Sequence, residues 1–104
     1  MLFNNIASAA AAACVLLVPS VLAEVRLQWH PSGSCSTSGG PQRVYGTGVC
    51  ISLSSTSNSV NILSRQGSCN LVTYTANGCS GGRRVLNSNG CWTLSGRNSA
   101  RVEC

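Results

Sequence analysis

The chain has 104 residues, 43% hydrophobic and 9% charged, with seven arginines, no lysine, no aspartate, two glutamates and a net charge of +5. This length excludes more than one domain, and two acids leave an enzyme little with which to move protons. The positive balance favours anionic surfaces such as wall polymers, phospholipid headgroups or phosphates, and arginine suits bidentate contact with carboxylate or phosphate.

Residues 1–23, "MLFNNIASAAAAACVLLVPSVLA", read as a secretory signal peptide. The run from Ile6 to Leu22 is apolar apart from Ser8, Pro19 and Ser20, and it ends in Val21-Leu22-Ala23. Its alanine content, Pro19 and the missing basic flank argue against a membrane anchor, although the leading segment lacks the usual Lys or Arg. Cleavage after Ala23 is expected, giving an extracellular single domain over residues 24–104. A domain of that size buries only about 60% of its unfolded surface, so its core alone is marginal.

Cys14 leaves with the signal, and Cys35, Cys50, Cys69, Cys79, Cys91 and Cys104 remain. An even set in a short secreted chain reads as three disulfides. With no CxxC or CC pair, neither a zinc site nor a thioredoxin-like motif is expected.

Val25, Leu27 and Trp29 alternate with Glu24, Arg26 and Gln28, the period of a half-buried strand. "VCISL", "SVNIL", "CNLVTY", "RRVL", "CWTL" and "ARVEC" follow as short runs bounded by Gly, Ser and Asn. Asn77-Gly78 and Asn89-Gly90 are turn dipeptides, the first suited to a tight hairpin. No helical stripe follows the signal. Seven or eight strands in one small domain predict an all-β, two-sheet sandwich.

The chain also matches itself. Gly39-Gly40 aligns with Gly81-Gly82, Arg43-Val44 with Arg84-Val85, Cys50 with Cys91, Leu53 with Leu94, Asn58-Ser59 with Asn98-Ser99 and Ile62 with Val102. Upstream, Trp29 precedes Cys35 much as Tyr74 precedes Cys79. This order predicts two tandem copies of about 40 residues, 24–63 and 69–104, related by a pseudo-twofold axis.

An aromatic, a short turn, Gly-Gly, a strand and a late serine before the last strand resemble the βγ-crystallin Greek-key motif. The aromatics would be Trp29 and Tyr74, the folded-hairpin glycines would fall among Gly39, Gly40, Gly81 and Gly82, and the bonding serines would be Ser59 and Ser99. "TYTANGCSGG", "NGCWTL" and "SARVEC" are similar to small cysteine-rich secreted proteins of fungi and to crystallin-like microbial killer toxins. The calcium-binding version of the motif does not fit here, so no metal and no cofactor are expected. Six cysteines allow fifteen connectivities. Equivalent bonds in equivalent copies suggest Cys35–Cys50 and Cys79–Cys91, leaving Cys69–Cys104 to clip the first and last strands of the second copy.

Arg83, Arg84, Arg97 and Arg101 form the densest basic cluster and are the candidate anion-binding residues, set against a merely solvated strand face. Arg83-Arg84 is also a dibasic dipeptide of the kind cut by secretory-pathway proteases. His30 with Glu24 and an arginine could be imagined as a ribonuclease-like set, but Glu24 and Glu103 lie at the two ends of the domain, so no enzyme is expected. Trp92 matches Ile51 and should be buried; exposed, it would suggest a sugar-stacking or membrane-inserting surface. No N-x-S/T sequon is present. The resemblance implies a monomeric fungal effector or killer-toxin-like antimicrobial protein. Its partner would be an anionic wall polymer, a membrane surface or a host extracellular protein, and no nucleic acid. The rival is a non-toxic wall- or glycan-binding structural protein.

Overall fold

The computed structural model describes residues 23–104, so the expected signal peptide lies outside the described residues except for Ala23. Eight strands and no helix are present among them: β1 Glu24–His30, β2 Arg43–Gly46, β3 Cys50–Ser52, β4 Ser59–Arg65, β5 Asn70–Ala76, β6 Ser80–Leu86, β7 Gly90–Thr93 and β8 Ser99–Glu103. They form two antiparallel four-stranded sheets, ordered β2-β1-β4-β7 and β3-β8-β5-β6.

The expected sandwich is therefore present, and its core follows strand parity. Val25 and Leu27 of β1 with Val60 and Ile62 of β4 meet Leu71, Leu86, Ala100 and Val102 of the second sheet, every one of them essentially inaccessible. The valine, leucine and isoleucine side chains among them stabilise by about 1.5–3 kcal/mol each when fully buried. Trp29, Tyr45, Ile51 and Trp92 pack against the same core, so Trp92 lies inward and half-buried.

The two sheets share one order if β1–β4 are read as β5–β8, except that each receives its third strand from the other half of the chain. β7 pairs with β4, and β3 pairs with β8. The hydrogen bonds that admit these strands are equivalent: Leu94 N–H donates to Asn58 O at 2.9 Å, and Leu53 N–H donates to Asn98 O at 3.0 Å. The equivalence slips in the edge strands. Leu27 faces Arg43 while its counterpart Leu71 faces Leu86, so the ladders place Arg43 opposite Leu86 in the correspondence and not opposite Arg84.

Strand exchange overturns two of the expected disulfides. The bridges are Cys35–Cys91, Cys50–Cys79 and Cys69–Cys104. Cys35–Cys50 and Cys79–Cys91 fail because Cys50 and Cys91 lie on the two exchanged strands. Cys50 stands opposite Arg101 on β8, next to the turn that carries Cys79, and Cys91 stands opposite Asn61 on β4, near Cys35. The bonds remain equivalent, but they run between the halves. Cys69–Cys104 closes the start of β5 onto the end of β8, as expected from their adjacency.

Candidate functional site

The richest polar arrangement lies on the outer face of the second sheet. Tyr74 pairs with Arg83 on β6 and with Ser99 on β8, Val72 with Arg101, and Asn70 with Glu103. Alternation thus brings the Tyr74, Arg83, Arg101 and Glu103 side chains onto one face. Arg83 Nη2 donates to Glu103 Oε1 at 2.7 Å; Arg101 Nη2 donates to Glu103 Oε2 and to the Tyr74 hydroxyl, each at 3.1 Å. The Tyr74 hydroxyl itself donates to Glu103 Oε2, and the Arg101 guanidinium lies 5.6 Å from the Tyr74 ring centroid.

These contacts explain the electrostatics. The Tyr74 hydroxyl first, then Arg83 and Arg101, hold the Glu103 carboxyl down to about 2 against the opposing effect of its partial burial. The two guanidiniums are in turn held more firmly protonated, chiefly by Glu103 and then by Tyr74.

The four candidate anion-binding arginines do not form one open stripe. Arg83 and Arg101 share Glu103. Arg84 points the other way and lies over the Trp92 ring at 5.4 Å, while Trp92 Nε1 donates to Ser88 O at 3.0 Å. Arg97 Nη1 donates to the Gly82 carbonyl at 2.8 Å. Arg65 is also engaged, donating to Asn89 Oδ1 and Asn70 Oδ1. Only Arg26 and Arg43 have no hydrogen bond, ion pair or aromatic partner among the described residues. They lie on β1 and β2, where Arg26 faces Val44, a valine with 45% of its surface exposed. Glu103, the residue that organises the cluster, is not among the candidate binding residues that the sequence offers.

Ser59 and Ser99 occupy equivalent places and each holds down a connection. Ser59 Oγ accepts from Cys35 N–H at 2.9 Å and donates to Ser32 O; Ser99 Oγ accepts from Cys79 N–H at 2.9 Å and donates to Ala76 O. Both cysteines adopt φ of 56°, the left-handed conformation that folds each connection back over its sheet. Register matches Tyr74 with His30 and not with Trp29. Tyr74 faces Ser99, but Ser59 is faced by His30, and the His30 and Tyr74 carbonyls accept equivalent bonds from Asn58 and Asn98 N–H at 2.9 Å. Trp29 is one residue out of phase. It points into the sandwich, where Nε1 donates to Tyr45 Oη at 3.0 Å.

His30 is buried beneath the β1–β2 connection, its Nδ1 2.8 Å from the Thr37 carbonyl it must donate to. Its Nε2 has no hydrogen-bond partner among the described residues. A Cβ at Gly39 would stand 2.7 Å from His30 Cε1, so only glycine fits over the ring. His30 and Glu24 occupy opposite ends of β1, roughly 20 Å apart at the rise of a strand. Glu103 lies in the other sheet, so the geometry assembles no His–Glu–Arg set.

Among the described residues there is no pocket, no group of three or more His, Cys, Asp or Glu side chains placed to hold a metal, and no helix long and apolar enough to cross a membrane. Comparisons with protein-family models, curated proteins and solved structures give no match to this chain.

Proposed function

We propose that this is a secreted, non-enzymatic, disulfide-held protein that acts on an anionic extracellular target, in the manner of a fungal effector or killer-toxin-like antimicrobial. Its βγ-crystallin-like double Greek key, made by copying one unit over residues 24–63 and 69–104, would be the scaffold. The equivalent clasps at Ser59 and Ser99 and the reciprocal exchange of β3 and β7 support that reading. Three bridges in so small a chain fit an oxidising, extracellular setting.

The observation that carries the functional reading is where free charge remains. With no pocket among the described residues, contact falls to the surface, and five of seven arginines are already engaged internally. Arg26 and Arg43, on opposite faces of the β1–β2 edge, are the two arginines without such a partner among the described residues, so the anion-binding role moves from the second half to that edge. The inward packing of Trp29 and Trp92 leaves them poorly placed for an exposed aromatic row, which weighs against the glycan-binding alternative.

The test is growth of yeasts, filamentous fungi and bacteria against dose of oxidised protein, with a reduced and alkylated control. Inhibition by the oxidised form alone, weakened by salt and by the Arg26→Gln/Arg43→Gln pair but not by Arg84→Gln, is the expected result. No inhibition across the panel would overturn direct toxicity.

A further inference from the structure

The chain holds two Asn-Gly dipeptides that the sequence alone ranks equally, Asn77-Gly78 and Asn89-Gly90. Such pairs can rearrange without an enzyme. The backbone nitrogen of the glycine attacks Cγ of the asparagine, ammonia leaves, and the cyclic imide takes up one water to give aspartate or isoaspartate. Glycine favours the step because no Cβ hinders the attacking nitrogen. The asparagine side chain must swing onto its own backbone, so a held amide or a paired backbone stops it.

The two sites differ in both respects. Asn89 Oδ1 accepts from Arg65 Nε at 3.2 Å, and its Nδ2 donates to the Leu63 carbonyl at 3.3 Å. Gly90 begins β7, in register with Ile62 of β4. Asn77 is exposed and its side-chain amide has no hydrogen-bond partner among the described residues. Gly78 lies in the exposed turn between β5 and β6 at φ of 72°, with open space where a Cβ would stand. Only the Asn77 carbonyl is engaged, by Ser80 Oγ at 2.9 Å.

We infer that Asn77 is a self-modification site, and that Arg65 and the β4–β7 ladder protect Asn89 from the same reaction. The product adds a carboxylate to a chain with two, lowering the net charge by one. Its position gives it structural reach, because Cys79, two residues on, is clasped by Ser99. An isoaspartate inserts an extra main-chain carbon immediately before that clasp. The corresponding connection of the first half, Ser32-Gly33-Ser34-Cys35, contains no asparagine, so the change falls on one half only.

The experiment ages the oxidised chain in warm, mildly alkaline buffer and follows both sites by peptide mapping, with hydroxylamine cleavage to trap the imide. The expected result is a gain of one mass unit at Asn77, about tenfold faster than at Asn89. The same chain reduced, alkylated and unfolded should convert both sites at similar rates, and Arg65→Ala should accelerate Asn89 in the folded protein. Equal rates in the folded chain, faster conversion of Asn89, or no conversion of Asn77 while the unfolded control reacts would each overturn the inference.

Discussion

The two halves solve one packing problem with different chemistry. Each folds a connection over its own sheet, holds it with a serine, and covers one central side chain: His30 in the first half, Tyr74 in the second. The Tyr74 hydroxyl bonds both Glu103 and Arg101, and Glu103 in turn takes Arg83. His30 makes one hydrogen bond and leaves Nε2 without a partner among the described residues, beneath a glycine that leaves no spare room. A shared backbone frame therefore tolerates an apolar-and-tight solution on one side and a charged network on the other. Buried polar groups stabilise only when satisfied, which predicts unequal sensitivity of the halves wherever side chains differ and equal sensitivity wherever the frame is shared.

The largest test breaks the covalent link between the halves. Cys35→Ser/Cys91→Ser opens a bridge spanning 56 residues and should lower stability by about 4 kcal/mol. Cys50→Ser/Cys79→Ser, with a separation of 29, should cost a few tenths less on chain entropy. Paired denaturation midpoints check the order; a bridge whose loss changes nothing would mean that the halves do not depend on it.

Next comes the shared frame. Ser59→Ala and Ser99→Ala each strand a cysteine N–H and a carbonyl, so each should cost about 2 kcal/mol, and the two values should agree. A clear difference between them in urea unfolding would break the equivalence of the halves.

The tight side should then show itself in glycines. Gly39→Ala forces a methyl against His30 and should destabilise by about 1–3 kcal/mol. Gly40→Ala, whose nearest obstacle is the Trp29 carbonyl at 3.8 Å, should cost far less. Thermal unfolding of the two variants compares them directly.

The smallest effect belongs to the charged side. The Glu103 carboxyl is held at about 2, below its ordinary value of 4.5. Its clasp therefore contributes fully above the unfolded value and fades as the pH falls through about 2. Glu103→Gln should cost about 1 kcal/mol at neutral pH and flatten that acid limb, measured as stability against pH. An unchanged acid limb would show that Glu103 does not carry it.

Much of the fold was legible because strand parity is local. Val25, Leu27 and Trp29 announced their face through alternation. Ser59 and Ser99 could be matched because each precedes a final apolar strand at the same offset. Distance to the following cysteine matches Trp29 with Tyr74, whereas register against the serine matches His30 with Tyr74. Arg83, Arg84, Arg97 and Arg101 looked like one cluster because they are close in sequence, yet adjacent strand residues face opposite sides. Glu103 sits at the end of the chain, and nothing local marks it as the partner of residues on β5, β6 and β8.

By itself the sequence determined the all-β class, the alternating core and the three-bridge composition, because each depends on residue type and short spacing. Tertiary structure alone decided which cysteines join, which arginines remain free and which asparagine amide is held. The bridges and the hold on Asn89 follow from β3 and β7 entering each other's sheets, and the arginine partners largely from the β5–β6 and β5–β8 registers. The exchange is set by packing between distant segments, and no period of two or turn dipeptide encodes it.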